Sequence, residues 1–234
     1  MADIGILENV PLAGYSTFRC GGPARYFAEP ATGDEVERLF RLAGEQNWDV
    51  FILGNGSNCL ISDEGFDGLV IRIGKNMSEL KTEELEDGRV KITAGAGLSY
   101  ARFGNYCTEL SLTGAEFACG IPGSCGGAVF MNAGAYGGEM KDLVVSVRLM
   151  RPDGSEIIEL SGEEMQFGYR HSMVEESGMI VLSALLCLGH DDREEIATRV
   201  KELQEKRNAK QPVNYPSAGS TFKRPVGGYA AALI

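Results

Sequence analysis

GIPGSCGGAVFMNAGAYGG, residues 120–138, concentrates glycine far beyond ordinary loop composition. Along Gly120, Pro122, Gly123, Ser124, Gly126 and Gly127, small side chains let backbone amides approach a flat ring or a phosphate closely. Ser124 and Asn132 add side-chain hydrogen bonds, and Gly134, Ala135 and Tyr136 continue the run. A mobile hinge or crowded packing between strands would use a similar composition. Upstream, Gly54-Asn55-Gly56-Ser57-Asn58 directly follows the β-rich run 50–53. After a strand, such a loop can take positive φ and turn successive N–H groups toward an anion, the geometry of a pyrophosphate nest. A tight turn would use the same residues. The spacing fails the GxGxxG pattern, because Cys59 stands at the third glycine, and no GK[ST] follows to make a P-loop.

Working outward, residues 34–47 place Val36, Leu39, Phe40 and Ala43 at helical spacing, and residues 68–73 form another strand ending near glycine. The charged stretch 79–89 suits a surface hairpin or linker, so a subdomain boundary is expected there. Residues 90–94 and 143–150 are predicted strands, and 99–110 a helix with Phe103 and Tyr106 turned inward. Pro152-Asp153-Gly154 turns the chain into a second hairpin strand at 156–160. Ser161 and Glu164 have capping-box spacing and predict a short helix ending near Phe167, followed by a loop over 168–172. Residues 179–188 are predicted as a buried strand, being too short for a membrane span, which needs ~20 apolar residues. Residues 191–208 predict a charged helix, with Ile196, Val200 and Leu203 on one side, leading into a third unit.

The 234 residues are 44% hydrophobic, enough for a sizeable core. The 33 acidic against 22 basic side chains give a net charge of -11, which argues against general nucleic-acid binding. No secretory signal is visible, and a cytoplasmic, non-membrane protein is expected. Six cysteines without a CxxC pair are expected as free thiols. His171 and His190 lack a neighbouring cysteine cluster, so no metal site is expected.

Four phrases, LGNGSN, GIPGSCGGAVFMNAGAYGG, FGYRHS and SAGSTFKRP, occur in that order. Together with Thr17-Phe18-Arg19-Cys20-Gly21-Gly22 they resemble the UDP-N-acetylenolpyruvoylglucosamine reductase (MurB) family of peptidoglycan synthesis, over almost the whole chain to Pro225. The 50 positions between Arg170 and Ser220 resemble its shorter, second type. The resemblance implies an α+β fold, with two FAD-binding subdomains of the p-cresol methylhydroxylase/vanillyl-alcohol oxidase type, 1–74 and 75–188. A partial α/β substrate domain, 189–234, would follow. It implies noncovalent FAD held by Gly54 to Asn58 at the pyrophosphate and by Gly120 to Gly137 around the rest. NADPH would be the reductant, a small-molecule UDP-sugar the substrate, and the full-length enzyme a monomer.

Tyr169-Arg170 matches the family's tyrosine–arginine pair, and a guanidinium suits the carboxylate on which charge accumulates when hydride enters the adjacent double bond. Ser220 matches its serine proton donor, a neutral acid strong enough for a basic enolate. Tyr136, Tyr169, Lys223 and Arg224 are implied substrate contacts, although the basic residues between Arg199 and Arg224 would equally form a solvated helix face. Family members continue past Ile234 with a segment carrying a catalytic glutamate, for which no residue here is assigned, so a truncated chain is expected. Two further readings stay open: another flavin oxidoreductase of the same fold using oxygen, and a noncatalytic FAD-binding fragment. A hydrolase is not favoured, since no Gly-x-Ser-x-Gly elbow is present.

Overall fold

The computed structural model describes residues 5–222 and 225–234. Its first sheet holds β1 (Leu7–Pro11), β2 (Pro23–Ala28), β3 (Val50–Leu53) and β4 (Phe66–Arg72) in the order β1-β2-β4-β3. β1 lies antiparallel to β2, while β2, β4 and β3 run parallel. Parallel strands need a crossover, and α1 (Gly33–Gln46) provides it between β2 and β3. The helix starts where Thr32 accepts the Glu35 N–H at 3.2 Å and stops at Asn47, whose left-handed φ of 55° closes the last turn. Val36, Leu39 and Ala43 recur on one face and are buried there. Side-chain alternation along β4 divides its contacts: Leu69 and Ile71 join the main core with α1, whereas Val70 joins Leu12, Ala24, Phe27 and Leu53 in a separate cluster. The C-terminal end of β3 is therefore fixed from both faces, and the first glycine loop begins there.

The second part of the chain contains β5 (Leu80–Glu84), β6 (Val90–Gly95), α2 (Tyr100–Glu109), β7 (Leu112–Thr113), α3 (Cys125–Phe130), the ribbon β8 (Gly134–Ala135) and β9 (Gly138–Glu139), β10 (Val144–Met150), β11 (Ile157–Ser161), α4 (Met173–Ser177), β12 (Ile180–His190) and α5 (Arg193–Lys210). The sheet order is β11-β10-β12-β6-β5, entirely antiparallel, with β7 paired to the end of β12. Central β12 is buried through most of its length, as the apolar run 179–188 predicts. The charged stretch 79–89 is the β5–β6 hairpin, its first strand largely exposed. Both sheets pack into one core, which joins Leu69 and Ile71 to Ile92, Ala94, Leu182 and Leu186.

Three local readings are revised. Ser161 and Glu164 do form the reciprocal cap, at 2.8 and 3.3 Å, but the chain makes only one turn. Gln166 then takes φ 49°, which interrupts helical continuation. Tyr106 is half-buried; the inward face of α2 is Tyr100, Phe103, Gly104 and Cys107. The glycine-rich stretch contains a helix, α3, that its composition hides. In α5, Ile196 and Val200 pack with Cys119. Arg199 there donates to Glu116 at 3.0 Å and to Asp191 at 2.7 Å. Burial alone would raise the Glu116 pKa, but hydrogen bonds from its own turn, Thr113, Gly114 and Arg199 outweigh burial and hold it below the usual carboxylate value.

Candidate cofactor site

The first glycine loop, residues 54–58, leaves the end of β3, and the second, residues 120–127, leads into α3. They interlock. Asn55 Nδ2 donates to Gly123 O at 2.8 Å, and Ser57 Oγ donates to Pro122 O at 3.3 Å. A Cβ on Gly54 would lie 2.6 Å from Ser124 Oγ, so any larger residue would push into the hydroxyl that caps α3. That hydroxyl accepts the Gly127 N–H at 3.2 Å. Cys125 and Gly126 donate their N–H groups to Leu98 O and Ala96 O at 2.7 and 2.8 Å, fastening the start of α3 to the chain that follows β6.

Gly56 has φ 60°, and a Cβ there would stand 2.1 Å from Tyr15 O. Only glycine satisfies both the left-handed backbone and the close approach. The N–H groups of Gly54 to Asn58 have no backbone acceptor among the described residues. A run of donors in a left-handed turn is a nest for an anion. The FAD that the resemblance implies carries a diphosphate and a flat ring, and this donor run beside a glycine-rich wall fits both. Gly120, Pro122, Gly123, Gly126 and Gly127 line the second loop around Ser124, which is itself buried.

Arg170 stands on a tight turn. Gly168 and His171 exchange backbone hydrogen bonds at 3.0 and 3.3 Å, and Arg170 takes φ 54° between them. Its Nη2 donates to Gly134 O at 2.7 Å, and its guanidinium lies 5.2 Å from the Tyr169 ring centre. Ser172 Oγ donates to Phe130 O at 2.8 Å and anchors the turn to the end of α3. Arg170 is thereby brought to the same segment that forms the second glycine loop.

The side chain of Asn132, one of the expected cofactor contacts, is bonded within the protein. It is fully buried at φ 40°, and its Nδ2 donates to Gly168 O at 2.8 Å and Glu139 Oε2 at 3.1 Å. Its Oδ1 accepts the Lys141 N–H at 2.9 Å. Both side-chain donors are used inside the protein, so the residue holds α3, the ribbon and the Arg170 turn together. Gly134 is buried in that ribbon with Ala135 beside it, while Tyr136 at the tip and Tyr169 are 50% and 56% exposed.

Ser220 is exposed. Three residues before it, Thr17 Oγ1 donates to Ser217 O at 2.6 Å, and Ser217 N–H donates back to Thr17 O at 3.2 Å. Lys223 and Arg224 lie outside the described residues. Sequence reasoning missed Thr17 as a structural contact, and no local pattern marks a hydrogen bond that spans 200 positions. It also missed α3, for which Ser124 ahead of the apolar run 128–130 was the available signal. The Cys125 thiol opens that helix, yet burial pushes its pKa up to about 12, so it is not an activated nucleophile.

A family model described as an FAD binding domain matches residues 24–161. A UDP-N-acetylenolpyruvoylglucosamine reductase of Agathobacter rectalis is 46% identical over 241 aligned positions, covering 100% of this chain and 76% of the relative. The crystal structure of UDP-N-acetylenolpyruvylglucosamine reductase from Thermus caldophilus superposes with a TM-score of 0.81 at 32% identity, over 99% of this chain and 79% of that one. A VAO-type flavoprotein of Myceliophthora thermophila, 15% identical with a TM-score of 0.54 over 72% of this chain and 32% of its own, shares the fold. The expected flavoprotein fold class is therefore the observed one.

Proposed function

The chain belongs to the UDP-N-acetylenolpyruvoylglucosamine reductase family, and from that premise we propose that it reduces UDP-N-acetylglucosamine enolpyruvate to UDP-N-acetylmuramate with NADPH, for peptidoglycan precursor synthesis. The observation that carries the reading is the Asn55–Gly123 clasp between the two glycine loops, with Arg170 bonded to Gly134 of the same glycine-rich segment. When bound, FAD would supply the hydride-transfer chemistry between NADPH and the enolpyruvyl double bond. The amides of Gly54 to Asn58 would hold its diphosphate, and the second loop with Gly134 and Ala135 would hold the rest of the cofactor.

Arg170 is the cation for the substrate carboxylate. One of its N–H groups is held by Gly134 O, which fixes the guanidinium plane while others point elsewhere. Hydride addition at one carbon builds an enolate on the other, delocalised into that carboxylate, and a pre-oriented guanidinium lowers its energy without reorganising. Ser220 Oγ–H then gives its proton to the enolate carbon, completing the addition of hydride and proton. Tyr136 and Tyr169 offer exposed aromatic faces to the sugar nucleotide, and Lys223 and Arg224 bring positive charge for its diphosphate. NADPH and UDP-sugars are cytoplasmic reactants, which supports a cytoplasmic site of action.

The test is anaerobic. Flavin bleaching by NADPH, followed by recovery of the oxidised spectrum on adding the enolpyruvyl substrate, supports the assignment. A flavin that NADPH bleaches and only oxygen restores, with the enolpyruvyl substrate inert, contradicts it.

A further inference from the structure

Thr17 lies in a turn pressed onto the first glycine loop. Ser16 Oγ accepts the Phe18 N–H at 3.1 Å and Ser16 O accepts the Arg19 N–H at 3.1 Å, so the turn is set locally. Thr17 N–H donates to Gly56 O at 3.1 Å, tying the turn to the loop. The residue that makes this bond also makes the two reciprocal bonds to Ser217. Two residues further on, Gly219 takes φ 82°, and its Cα approaches so closely that a Cβ would lie 3.2 Å from Asn58 Oδ1. Ser217 Oγ accepts the Gly219 N–H at 3.2 Å, which shapes the short link to Ser220.

We infer that Thr17 is a positioning residue: through Ser217 it registers the segment carrying Ser220 onto the cofactor-binding loop itself. Upstream, the segment continues from the long exposed helix α5, whose last turns are far along the chain from its buried Ile196 and Val200. A proton donor must stand within hydrogen-bond reach of the carbon it protonates, and small displacements cost rate steeply. Holding the donor from the loop that holds the cofactor makes its placement independent of how α5 bends. The inference rests on the role proposed for Ser220, but the seat itself is observable without that role.

The experiment compares the FAD-loaded parent, Thr17→Val and Thr17→Ser. Thr17→Val removes the 2.6 Å donor while keeping size and backbone, and Thr17→Ser retains the donor. Thr17→Val is expected to speed amide exchange across residues 215–221 about tenfold, the loss expected for one hydrogen bond. Its FAD affinity and NADPH bleaching should match the parent, while reoxidation by the enolpyruvyl substrate slows about tenfold. Thr17→Ser should restore both readouts. Unchanged exchange in Thr17→Val overturns the seat. Faster exchange without slower reoxidation, when Ser220→Ala is slow, overturns the positioning role. If Ser220→Ala reoxidises at the parent rate, the proton-donor reading fails and takes the catalytic half of this inference with it, and exchange alone then decides the seat.

Discussion

Asn55 and Gly123, 68 residues apart in the chain, are joined by a 2.8 Å hydrogen bond from the Asn55 side-chain amide to the Gly123 carbonyl. Gly123 O also accepts the Tyr100 N–H at 3.0 Å, so the clasp ties the first sheet's loop to the start of α2 as well as to the second loop. The two loops form one wall, and a change in either should be felt through the other.

Gly56→Ala should weaken FAD binding at least about tenfold. A left-handed φ costs an alanine ~1–2 kcal/mol, and the added Cβ would also press on Tyr15 O. Titration of FAD against the variant, read by flavin fluorescence, checks this. An unchanged dissociation constant would mean that the loop geometry is irrelevant to the cofactor.

Arg170→Gln should leave NADPH bleaching of the flavin at the parent rate and slow reoxidation by the enolpyruvyl substrate by ~10²–10³, the range for losing one pre-organised donor to a developing anion. Rapid-mixing absorbance separates the two half-reactions. Equal slowing of both would move Arg170 away from the substrate carboxylate.

Asn132→Leu should destabilise the fold by ~1–3 kcal/mol, because it leaves the Lys141 amide without its acceptor, while the Gly168 carbonyl keeps the His171 N–H. It should also raise KM for the UDP-sugar, since the turn that carries Arg170 loses its strut. Urea unfolding and steady-state kinetics read the two effects, and a stable variant with parent KM would assign the strut to another residue.

Much of this arrangement was legible along the chain. Local chemistry marks the first loop, because a short apolar strand ending in Gly54-Asn55-Gly56 can turn its amides toward an anion, and helical spacing marks α1. What composition concealed is equally physical. Asn132 looks like a ligand contact in a glycine-rich run, yet its burial was decided by the Gly168 turn and the Lys141 amide, both distant in sequence or hidden in the backbone. Ser161–Glu164 satisfied its cap and still failed to propagate a helix, since one turn fixes several dihedrals for little return. The charged sequence of α5 conceals its Arg199–Glu116 pair, whose partners stand 83 positions apart.

Glu116, buried yet held by hydrogen bonds from its own turn, Thr113, Gly114 and Arg199, sets a pH dependence. The folded Glu116 pKa lies below its unfolded value, so the unfolded chain binds the proton more readily in acid. Its contribution is complete above the unfolded carboxylate value of about 4.3 and is lost as pH falls through the folded one. Glu116→Gln should lower stability at neutral pH and flatten the acid limb of the stability curve. Urea midpoints measured from pH ~3 to ~7 test it. A variant whose acid limb matches the parent would show that other carboxylates govern that limb.

Amide hydrogen exchange with and without FAD tests the cofactor seat most directly. Added FAD should bind saturably, one per chain, and slow exchange at residues 54–58 and 120–127 together. A folded chain that stays colourless with FAD present, or one whose protection falls elsewhere and leaves both glycine loops unchanged, contradicts the account.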